Sequence, residues 1–269
     1  MCIRDRYNIW CEGAWGWRVT DSWLEYGRSG NLRIDKQTIS TGYNRDGNFI
    51  NCRFAAALSG SNIELHGPLY VHFMGNSIST ANQYGVFNGG YYTSFINNWI
   101  ESNDLDGIYS ASTNAIIETN YFYGNGRGVS NTCSQITLKD GATRTVILGN
   151  TFNGKAGTSR YAISANANAT NCIISDNVIY AHGYVIPIIY NNNSTKIRDN
   201  IGYVSENSGW AGGTSGFTIA HGCAKKPSYV DITPSGANPI SYSFTVDNSN
   251  ITVYHSDAGS AMFSWKAEI

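Results

Sequence analysis

The residues that offer chemistry recur along the chain at a nearly regular spacing. Five of them each stand at the start of a short stretch that contains apolar residues. These stretches are YGVF, DGIY, RGVS, YAIS and YVIP. The five residues are Tyr84, Asp106, Arg127, Tyr161 and Tyr184, and the steps between them are 22, 21, 34 and 23 residues. If each stretch opens the same strand of a repeating unit, the five side chains form one column. Asp106 and Arg127 would then lie about 5 Å apart on neighbouring strands.

This column and its flanking residues suit an extended sugar chain. A guanidinium can hold a carboxylate through two parallel contacts, a carboxylate or an imidazole can move a proton, and tyrosine rings can stack on sugar rings. We therefore assign candidate catalytic roles to Asp106, Arg127, Asp104, Arg160 and His182. We assign candidate substrate-binding roles to Tyr84, Tyr109, Tyr161, Tyr184 and Glu101. The alternative is a surface salt bridge at a corner of the repeat, with ordinary exposed tyrosines beside it.

A repeated phrase explains the spacing. A Phe or Ile, two further residues and an Asn recur along the chain. We call the Asn of each copy an anchor, and the anchors are Asn76, Asn98, Asn120, Asn150, Asn177 and Asn200. Steps of 22, 22, 30, 27 and 23 residues separate them, and another Phe or Ile stands two residues after all but the last. A shortest step of 22 residues with longer members indicates one structural unit with insertions at a corner. The unit lacks the amphipathic stretch of about 10–15 residues that a crossover helix needs.

One unit therefore fits one coil of a parallel β-helix. Coils stacked about 4.8 Å apart bury Ile on Ile and Phe on Phe, and each strand pairs with its copy in the next coil. The backbone of each anchor Asn can turn a tight corner while its side-chain amide hydrogen-bonds to the Asn of the next coil. We predict that the six anchors form a structural ladder.

The Asn ladder, the 22-residue coils and the Gly-[Val/Ile] strand starts resemble the pectate-lyase-like superfamily. This family includes polysaccharide lyases, glycoside hydrolases related to polygalacturonase, and viral tailspikes. The resemblance covers about residues 7–205 and implies an all-β, right-handed parallel β-helix of about seven to eight coils. It also implies that the chain acts on, or binds, an extracellular polysaccharide.

The catalytic motifs of the family match only in part. NDLDGI at 103–108 is similar to the NTDG signature of polygalacturonases. The Asp pair and the His-Gly of the following coils are absent at matching spacing, and AHG at 181–183 comes too late. Asp176 and Asp199 stand directly before two anchors, where a turn-capping role is favoured over a two-carboxylate hydrolase centre.

Metal binding has weak support in the sequence. Calcium-dependent lyase chemistry needs clustered acids, and Glu101, Asp104 and Asp106 form only a weak cluster. His66 and His72 fall on one early coil, and such a pair is more often structural or exposed than metal-binding. We predict no cofactor, with Ca²⁺ as a weakly supported candidate.

Composition bounds the class of partner. The 18 Lys and Arg against 19 Asp and Glu leave a net charge of −1, which favours neither nucleic acid nor an anionic membrane surface. No apolar run approaches the length that a membrane span requires. Once Cys2 is set aside with the unusual N-terminal residues described below, an odd set of five cysteines without CxxC spacing remains. It argues against a zinc site and a disulfide framework and favours buried free thiols. These cysteines are Cys11, Cys52, Cys133, Cys172 and Cys223.

The two ends of the chain differ from the repeat. MCIRDR resembles a translated sequencing adapter, so we expect residues 1–6 to be an artefact and the natural N-terminus, with any signal peptide, to be missing. SGWAGGTSG indicates a linker, after which apolar and polar residues alternate at strand spacing. We predict a β-helix over 7–207 and a small antiparallel β-sandwich over 208–269. The latter resembles C-terminal modules of secreted carbohydrate-active and tail proteins, which implies binding or assembly; a plain cap is the alternative.

Two functional hypotheses stay open. In the first, the chain cleaves a polysaccharide by lyase or hydrolase chemistry around Asp106 and Arg127. In the second, it is a non-catalytic glycan-binding adhesin or a tailspike-like receptor-binding protein. Both place it outside the cell, either secreted, on the cell surface or on a virion. A homotrimer stays open because the sequence locates no apolar outer face, and an ice-binding solenoid is disfavoured because regular Thr-x-Thr ranks are absent.

Overall fold

The computed structural model describes residues 7–12, 16–35, 45–129, 131–155, 157–180, 184, 186–190, 194–235 and 240–269. Within these ranges the regular secondary structure is all β-strand, so no helix there is long and apolar enough to cross a membrane. The segment predicted to be an artefact, residues 1–6, and His182 lie outside the described residues.

The chain winds through three parallel sheets, A, B and C, and contributes one short strand to each sheet in every coil. Sheet A contains β1 (Tyr7–Glu12), β4 (Gly30–Asp35), β7 (Ile63–His66), β10 (Val86–Asn88), β13 (Ile108–Ser110), β16 (Cys133–Leu138), β19 (Ser159–Ala165) and β22 (Ile186–Tyr190). Sheet B contains β2 (Arg18–Thr20), β5 (Arg45–Ile50), β8 (Leu69–Met74), β11 (Ser94–Ile96), β14 (Ile116–Glu118), β17 (Val146–Leu148), β20 (Ile173–Ser175) and β23 (Lys196–Arg198). Sheet C contains β3 (Trp23–Glu25), β6 (Arg53–Ala55), β9 (Ser77–Ser79), β12 (Trp99–Glu101), β15 (Tyr121–Tyr123), β18 (Thr151–Asn153) and β21 (Val178–Tyr180). Sheets of eight, eight and seven strands make seven complete turns and part of an eighth, which confirms the predicted parallel β-helix and its number of coils.

Like residues stack on like residues inside the solenoid. Phe49, Phe73 and Phe95 are fully buried and lie nearly parallel, with ring centroids 4.9 and 5.0 Å apart. Phe122 and Phe152 form a second such pair with centroids 5.0 Å apart. Because burial of one Phe side chain contributes about 1.5–3 kcal/mol, these columns are a main source of the stability of the solenoid.

The Asn residues of the repeated phrase lie at the corner between sheets B and C. The side-chain amide of Asn76 donates to Oδ1 of Asn98 over 2.9 Å, and Asn98 donates to Asn120 over 2.9 Å. The same contact continues to Asn150 and Asn177, both at 3.0 Å. Asn200 is buried at the corresponding place after β23 and donates to the Arg198 carbonyl over 2.8 Å. Each such amide satisfies backbone groups that the tight corner would otherwise leave unpaired.

A second interior ladder follows the corner between sheets C and A. Asn31 donates to Asn62 over 2.7 Å, and Asn103 donates to Asn125 over 2.7 Å, with all four side chains fully buried. Between these two pairs the ladder position holds Ala81, whose backbone N–H donates to Oδ1 of Asn103 over 2.9 Å. This ladder is not evident in the sequence because its members do not share the apolar phrase of the first.

The C-terminal unit, Arg198–Ile269, contains two three-stranded antiparallel sheets, D and E. Sheet D contains β24 (Glu206–Gly213), β29 (Ala261–Glu268) and β26 (Tyr229–Ser235), and sheet E contains β25 (Phe217–Ala220), β28 (Asn250–His255) and β27 (Tyr242–Val246). Their inner faces share one core, which includes Ile219, Ile251, Phe263 and Trp265. The sandwich is therefore present.

The sandwich begins earlier in the chain than predicted. SGWAGG was expected to lie in a linker, but it forms part of β24 and pairs with β29. The physical reason is that Gly209 leaves room for the ring of Trp265, which a Cβ at position 209 would approach to 3.3 Å. None of the described cysteines forms a disulfide, and all but the half-buried Cys11 are buried.

Candidate functional site

Sheet A brings together part of the predicted column. Its register aligns Val86 with Ile108, and Ile108 with Ile136, so the positions two residues earlier hold Tyr84, Asp106 and Ser134. Tyr161 follows next to Ser134. Three of the five predicted members, Tyr84, Asp106 and Tyr161, therefore lie in one column, with Ser134 between Asp106 and Tyr161.

Arg127 and Tyr184 do not lie in this column, so the prediction that Arg127 neighbours Asp106 is wrong. Arg127 belongs to the connection before β16, and the strand of that coil starts only at Cys133. Ser134 takes the place expected for Arg127, and Ile186 takes the place expected for Tyr184. Tyr184 is itself largely withdrawn from solvent, and this burial raises the pKa of its hydroxyl.

Asp106 lies in a pocket of about 240 Å³ on the outer face of sheet A, which we name the Asp106 pocket. The pocket is lined by Tyr84, Leu105, Asp106, Tyr109, Thr132, Cys133, Ser134, Thr137, Lys139, Tyr161, Ser164 and Asn166. Only 7% of Asp106 is exposed, and its carboxylate accepts a hydrogen bond from the backbone N–H of Ser134.

The environment of Asp106 favours a proton on its carboxyl. Burial raises its pKa from 3.8 to about 6, because the charged form loses its hydration. The Ser134 N–H, a hydrogen bond with Thr137 and the charge of Lys139 oppose this rise only in part. Near neutral pH the group can therefore exchange a proton, as an acid–base catalyst must.

Aromatic rings extend from this pocket along the sheet. The ring centroids of Tyr84 and Tyr109 are 4.6 Å apart, and those of Phe87 and Tyr109 are 5.8 Å apart. Lys139 places its Nζ 5.4 Å from the centre of the Tyr109 ring. Burial, with the nearby Asp106 and Tyr109, raises the pKa of Tyr84 to about 12, so its hydroxyl stays protonated and can donate a hydrogen bond.

An ionic cluster occupies the earlier strands of the same face. Arg33 forms a salt bridge with Asp35 over 2.9 Å and a longer one with Glu64 over 3.6 Å. Glu64 accepts a hydrogen bond from Tyr7 over 2.9 Å and lies 3.3 Å from His66. Although burial acts to raise the pKa of Glu64, hydrogen bonds from His66 and Tyr7 outweigh it, and the pKa is lowered.

This ionic cluster was not predicted from the sequence. Its signal was the alternation in LRID and IELH, where every second residue is polar and points away from the core. The stacked rings of His66 and Phe87, with centroids 5.2 Å apart, join the cluster to the aromatic residues. The outer face of sheet A is thus a continuous row of ionic, aromatic and acid–base groups.

The remaining candidates lie elsewhere. Arg127 forms a salt bridge with Asp104 over 2.9 Å, and both line a separate pocket of about 220 Å³ with Leu58 and Asn82. The guanidinium of Arg160 lies 5.1 Å from the ring of its neighbour Tyr161. Arg160 does not line the Asp106 pocket.

The structure does not assemble the weak calcium cluster. Glu101 lies on sheet C, and Asp104 and Asp106 open to different pockets. In the part of the chain that the structure describes, no three His, Cys, Asp or Glu residues come together in a way that could hold a metal ion.

The other polar residues considered for metal or acid chemistry lie in separate surroundings. His66 faces out from sheet A, whereas His72 lies on sheet B with its Nδ1 2.7 Å from Ser94 Oγ. Asp176 and Asp199 adopt left-handed backbone conformations, with φ of 56° and 53°, at the corner between sheets B and C. These two carboxylates therefore belong to turns.

Comparisons with known proteins support the fold. No protein-family model matches the chain, and no curated protein matches it. The A-module of mannuronan C-5 epimerase AlgE6 from Azotobacter vinelandii matches with a TM-score of 0.61 at 15% identity, over 70% of this chain and 52% of that one. A mutant of the periplasmic alginate epimerase AlgG matches with a TM-score of 0.53 at 12% identity, over 72% of this chain and 47% of that one.

A phage protein matches over a longer part of the chain. The Gp54 tailspike of Acinetobacter baumannii bacteriophage AP22, in complex with a capsular saccharide, matches with a TM-score of 0.51 at 11% identity. The match covers 98% of this chain and 58% of that one. The fold is a parallel β-helix. The chain spans about half the length of these three structures.

Proposed function

We propose that this protein binds an extracellular polysaccharide along the outer face of sheet A and cleaves it by proton transfer in the Asp106 pocket. The observation that carries the proposal is the buried carboxyl of Asp106 within a row of aromatic and ionic side chains. From Arg33 to Ser164 this row crosses six strands, so it is about 25 Å long. That length suits several sugar residues of an extended chain.

Each part of the pocket has a role in this proposal. Tyr84 and Tyr109 supply ring surface and hydroxyls that hold the sugar chain, and Lys139 holds an anionic or polar group of it. Above its pKa of about 6, the Asp106 carboxylate accepts the proton from the sugar carbon next to the uronate carboxyl. A carbon–carbon double bond then forms as the bond to the glycosidic oxygen breaks, and the protonated Asp106 gives that proton to the leaving oxygen. Among the described residues that line the pocket, Asp106 is the sole carboxylate, so lyase chemistry is favoured over a two-carboxylate hydrolase.

The second candidate function is glycan binding without cleavage. It is favoured by the match to the tailspike, which covers nearly the whole chain including the C-terminal sandwich, and which was solved with a capsular saccharide. The missing second carboxylate in the pocket also agrees with it. In both cases the protein acts outside the cytoplasm, where such polysaccharides occur, as the names of the tailspike and of the periplasmic epimerase suggest.

Self-association into a homotrimer forms part of the proposal. The outer face of sheet B carries aliphatic side chains from successive strands, and Met74 and Ile116 are 45% and 41% exposed. Ile50 and Ile96 flank Met74 in the same outward row, and Leu148 follows beyond Glu118, which interrupts the row. Soluble monomers rarely expose many large aliphatic side chains on one face, so the exposed Met74 and Ile116 favour contact with another copy.

Sedimentation velocity tests the trimer. The wild type should sediment as a trimer, whereas Ile116→Lys should shift it toward monomer, and Thr151→Lys on sheet C should leave the trimer intact. A monomeric wild type at high concentration would rule the trimer out.

The catalytic proposal is tested with a panel of uronic-acid and neutral polysaccharides. Absorbance of unsaturated products reports a lyase, and new reducing ends without that absorbance report a hydrolase. Asp106→Asn should lower the rate at least about 100-fold, the usual contribution of a positioned acid–base group. Asp104→Asn removes the same charge from a different pocket and should retain activity.

The pattern of results separates the two candidates. If no product forms while polysaccharide still binds, the chain is a glycan-binding protein and the catalytic role of Asp106 is wrong. If the whole panel neither binds nor reacts, the assignment of the outer face of sheet A is wrong as well.

A further inference from the structure

The C-terminal unit has a pocket of its own, which we name the sandwich pocket. It has a volume of about 310 Å³ and is lined by Ser215, Ser241, Tyr242, Ser243, Tyr254 and His255. These residues come from the start of β27, the end of β28 and the turn that precedes β25, where three strand ends of sheet E meet. All of them belong to the sandwich, so the pocket is separate from sheet A.

His255, which lines the sandwich pocket, has unusual surroundings. Its Nε2 lies 3.0 Å from the carbonyl oxygen of Gly213. Because a carbonyl oxygen can only accept, Nε2 carries the proton, and Nδ1 of the neutral ring is an acceptor. Nδ1 is buried and has no hydrogen-bond partner among the described residues. Buried polar atoms without partners are rare, and a group that stays unpaired in the free protein often marks a functional site.

The neighbouring side chains supply further polar contacts. The Ser215 hydroxyl accepts a hydrogen bond from the backbone N–H of His255 over 3.0 Å, which leaves its own proton free to donate. Ser243 and Tyr254 are direct neighbours across β27 and β28, and both are exposed. Tyr242 is held in place because its hydroxyl donates to the carbonyl of Ile232.

The side chains that line the sandwich pocket indicate which class of ligand it can bind. Three serine hydroxyls, two tyrosines and one imidazole line the pocket, and none of the described residues that line it is Asp, Glu, Lys or Arg. Hydroxyl groups that both donate and accept, beside the face of an aromatic ring, match a polyhydroxylated neutral ligand. The volume is at the lower end of the range for ligand pockets, about 300–1,000 Å³, which suits one sugar residue and not a long chain.

We propose that the sandwich pocket binds one neutral sugar residue, with Tyr254 against the ring of the sugar and the serine hydroxyls on its hydroxyl groups. A sugar hydroxyl that enters the pocket also offers the donor that Nδ1 of His255 lacks, once the Ser215 and His255 side chains adjust around it. The protein then has a glycan contact that is independent of the outer face of sheet A. This site can hold the end or a branch of a glycan while a long chain lies elsewhere.

The test uses the full chain and four probes: D-glucose, D-galactose, D-mannose and N-acetyl-D-glucosamine. Each is added up to about 50 mM, since a single sugar residue forms few contacts and binds weakly. Saturation-transfer difference NMR detects binding, and titration gives the dissociation constant. We expect at least one probe to bind, and Tyr254→Ala to raise its dissociation constant at least tenfold.

Two matched variants make the test specific. Tyr229→Ala removes a tyrosine of similar exposure from sheet D and should leave the dissociation constant unchanged. Tyr109→Ala removes an aromatic ring from sheet A and should also leave it unchanged, so this site and the polysaccharide site succeed or fail separately. The proposal is overturned if none of the four probes binds, or if Tyr254→Ala binds them as the wild type does.

Discussion

Replacement of Asp106 by Asn should stabilise the protein, and the gain should depend on pH. The folded protein holds the carboxyl proton more tightly than the unfolded chain does, because the pKa of Asp106 rises from 3.8 to about 6 on burial. The wild type therefore loses stability as the pH rises through this interval, and the loss is complete above it. Asn cannot ionise, and its Oδ1 can still accept the Ser134 N–H, so the variant escapes this loss.

The magnitude follows from the pKa. A rise from 3.8 to about 6, at about 1.36 kcal/mol per pH unit, corresponds to about 3 kcal/mol of unfolding free energy. The advantage of Asp106→Asn over the wild type should be close to its minimum near pH 4, rise through about pH 5, and level off above about pH 6.5. At neutral pH a gain of this size would be a large share of the total stability of a typical domain.

Urea unfolding at a series of pH values from about 4 to 8 measures the difference. Ser164→Ala is the matched control, because Ser164 lines the same pocket and cannot titrate, so its stability difference from the wild type should not vary with pH. Lys139→Met should move the midpoint of the Asp106 transition to higher pH, because it removes a positive charge that favours the carboxylate. A difference between Asp106→Asn and the wild type that stays constant from pH 4 to 8 would refute the burial argument and, with it, the acid–base role near neutral pH.

Three further predictions concern the ladder, the core and the outer face of sheet A. Asn120→Ala should lower the unfolding free energy by about 3 kcal/mol, because it leaves buried hydrogen-bond partners unpaired, whereas Asn82→Ala at an exposed position should change it by less than about 0.5 kcal/mol. Phe73→Ala opens a gap in the middle of the Phe stack and should cost about 3–5 kcal/mol by urea unfolding; a loss under about 1 kcal/mol would contradict the packing. Tyr109→Ala should weaken polysaccharide binding at least about tenfold by isothermal titration calorimetry, and Tyr109→Phe should retain it because the stacking face remains. Equal losses in the two Tyr109 variants would point to the hydroxyl instead of the ring.

The sequence was sufficient for the architecture because the architecture repeats. Each Asn from Asn76 to Asn177 meets the same corner geometry in every coil, so one side-chain requirement appears many times at one interval. The flanking Phe and Ile residues show the same regularity because they stack in register. Such a signal survives insertions, since an insertion delays the next copy of the phrase without altering it.

The positions of the candidate catalytic residues were harder to predict, because they depend on where a longer coil carries its inserted residues. Arg127 precedes Gly-Val as a strand start would, but the extra residues of that coil lie around it, and the strand begins at Cys133. Such an insertion moves the side chain out of the predicted column, and no local sequence pattern reveals where the insertion lies. The cluster of Arg33 and Glu64 was missed for another reason: it lies in coils that precede Asn76, the first anchor of the repeated phrase.

The unequal coils have a consequence for how specificity can change. The connection before β16 runs from residue 124 to residue 132 and carries Thr132 to the wall of the Asp106 pocket, whereas the equivalent connection before β13 runs only from 102 to 107. The longer connection leaves the pairing of β16 with β13 and of β15 with β18 in regular register. Loop extensions cost little free energy. Natural variation in this connection can therefore alter which ligands the Asp106 pocket admits, while the stacked coils stay unchanged. Libraries for altered specificity should therefore randomise this connection first and leave the strands as they are.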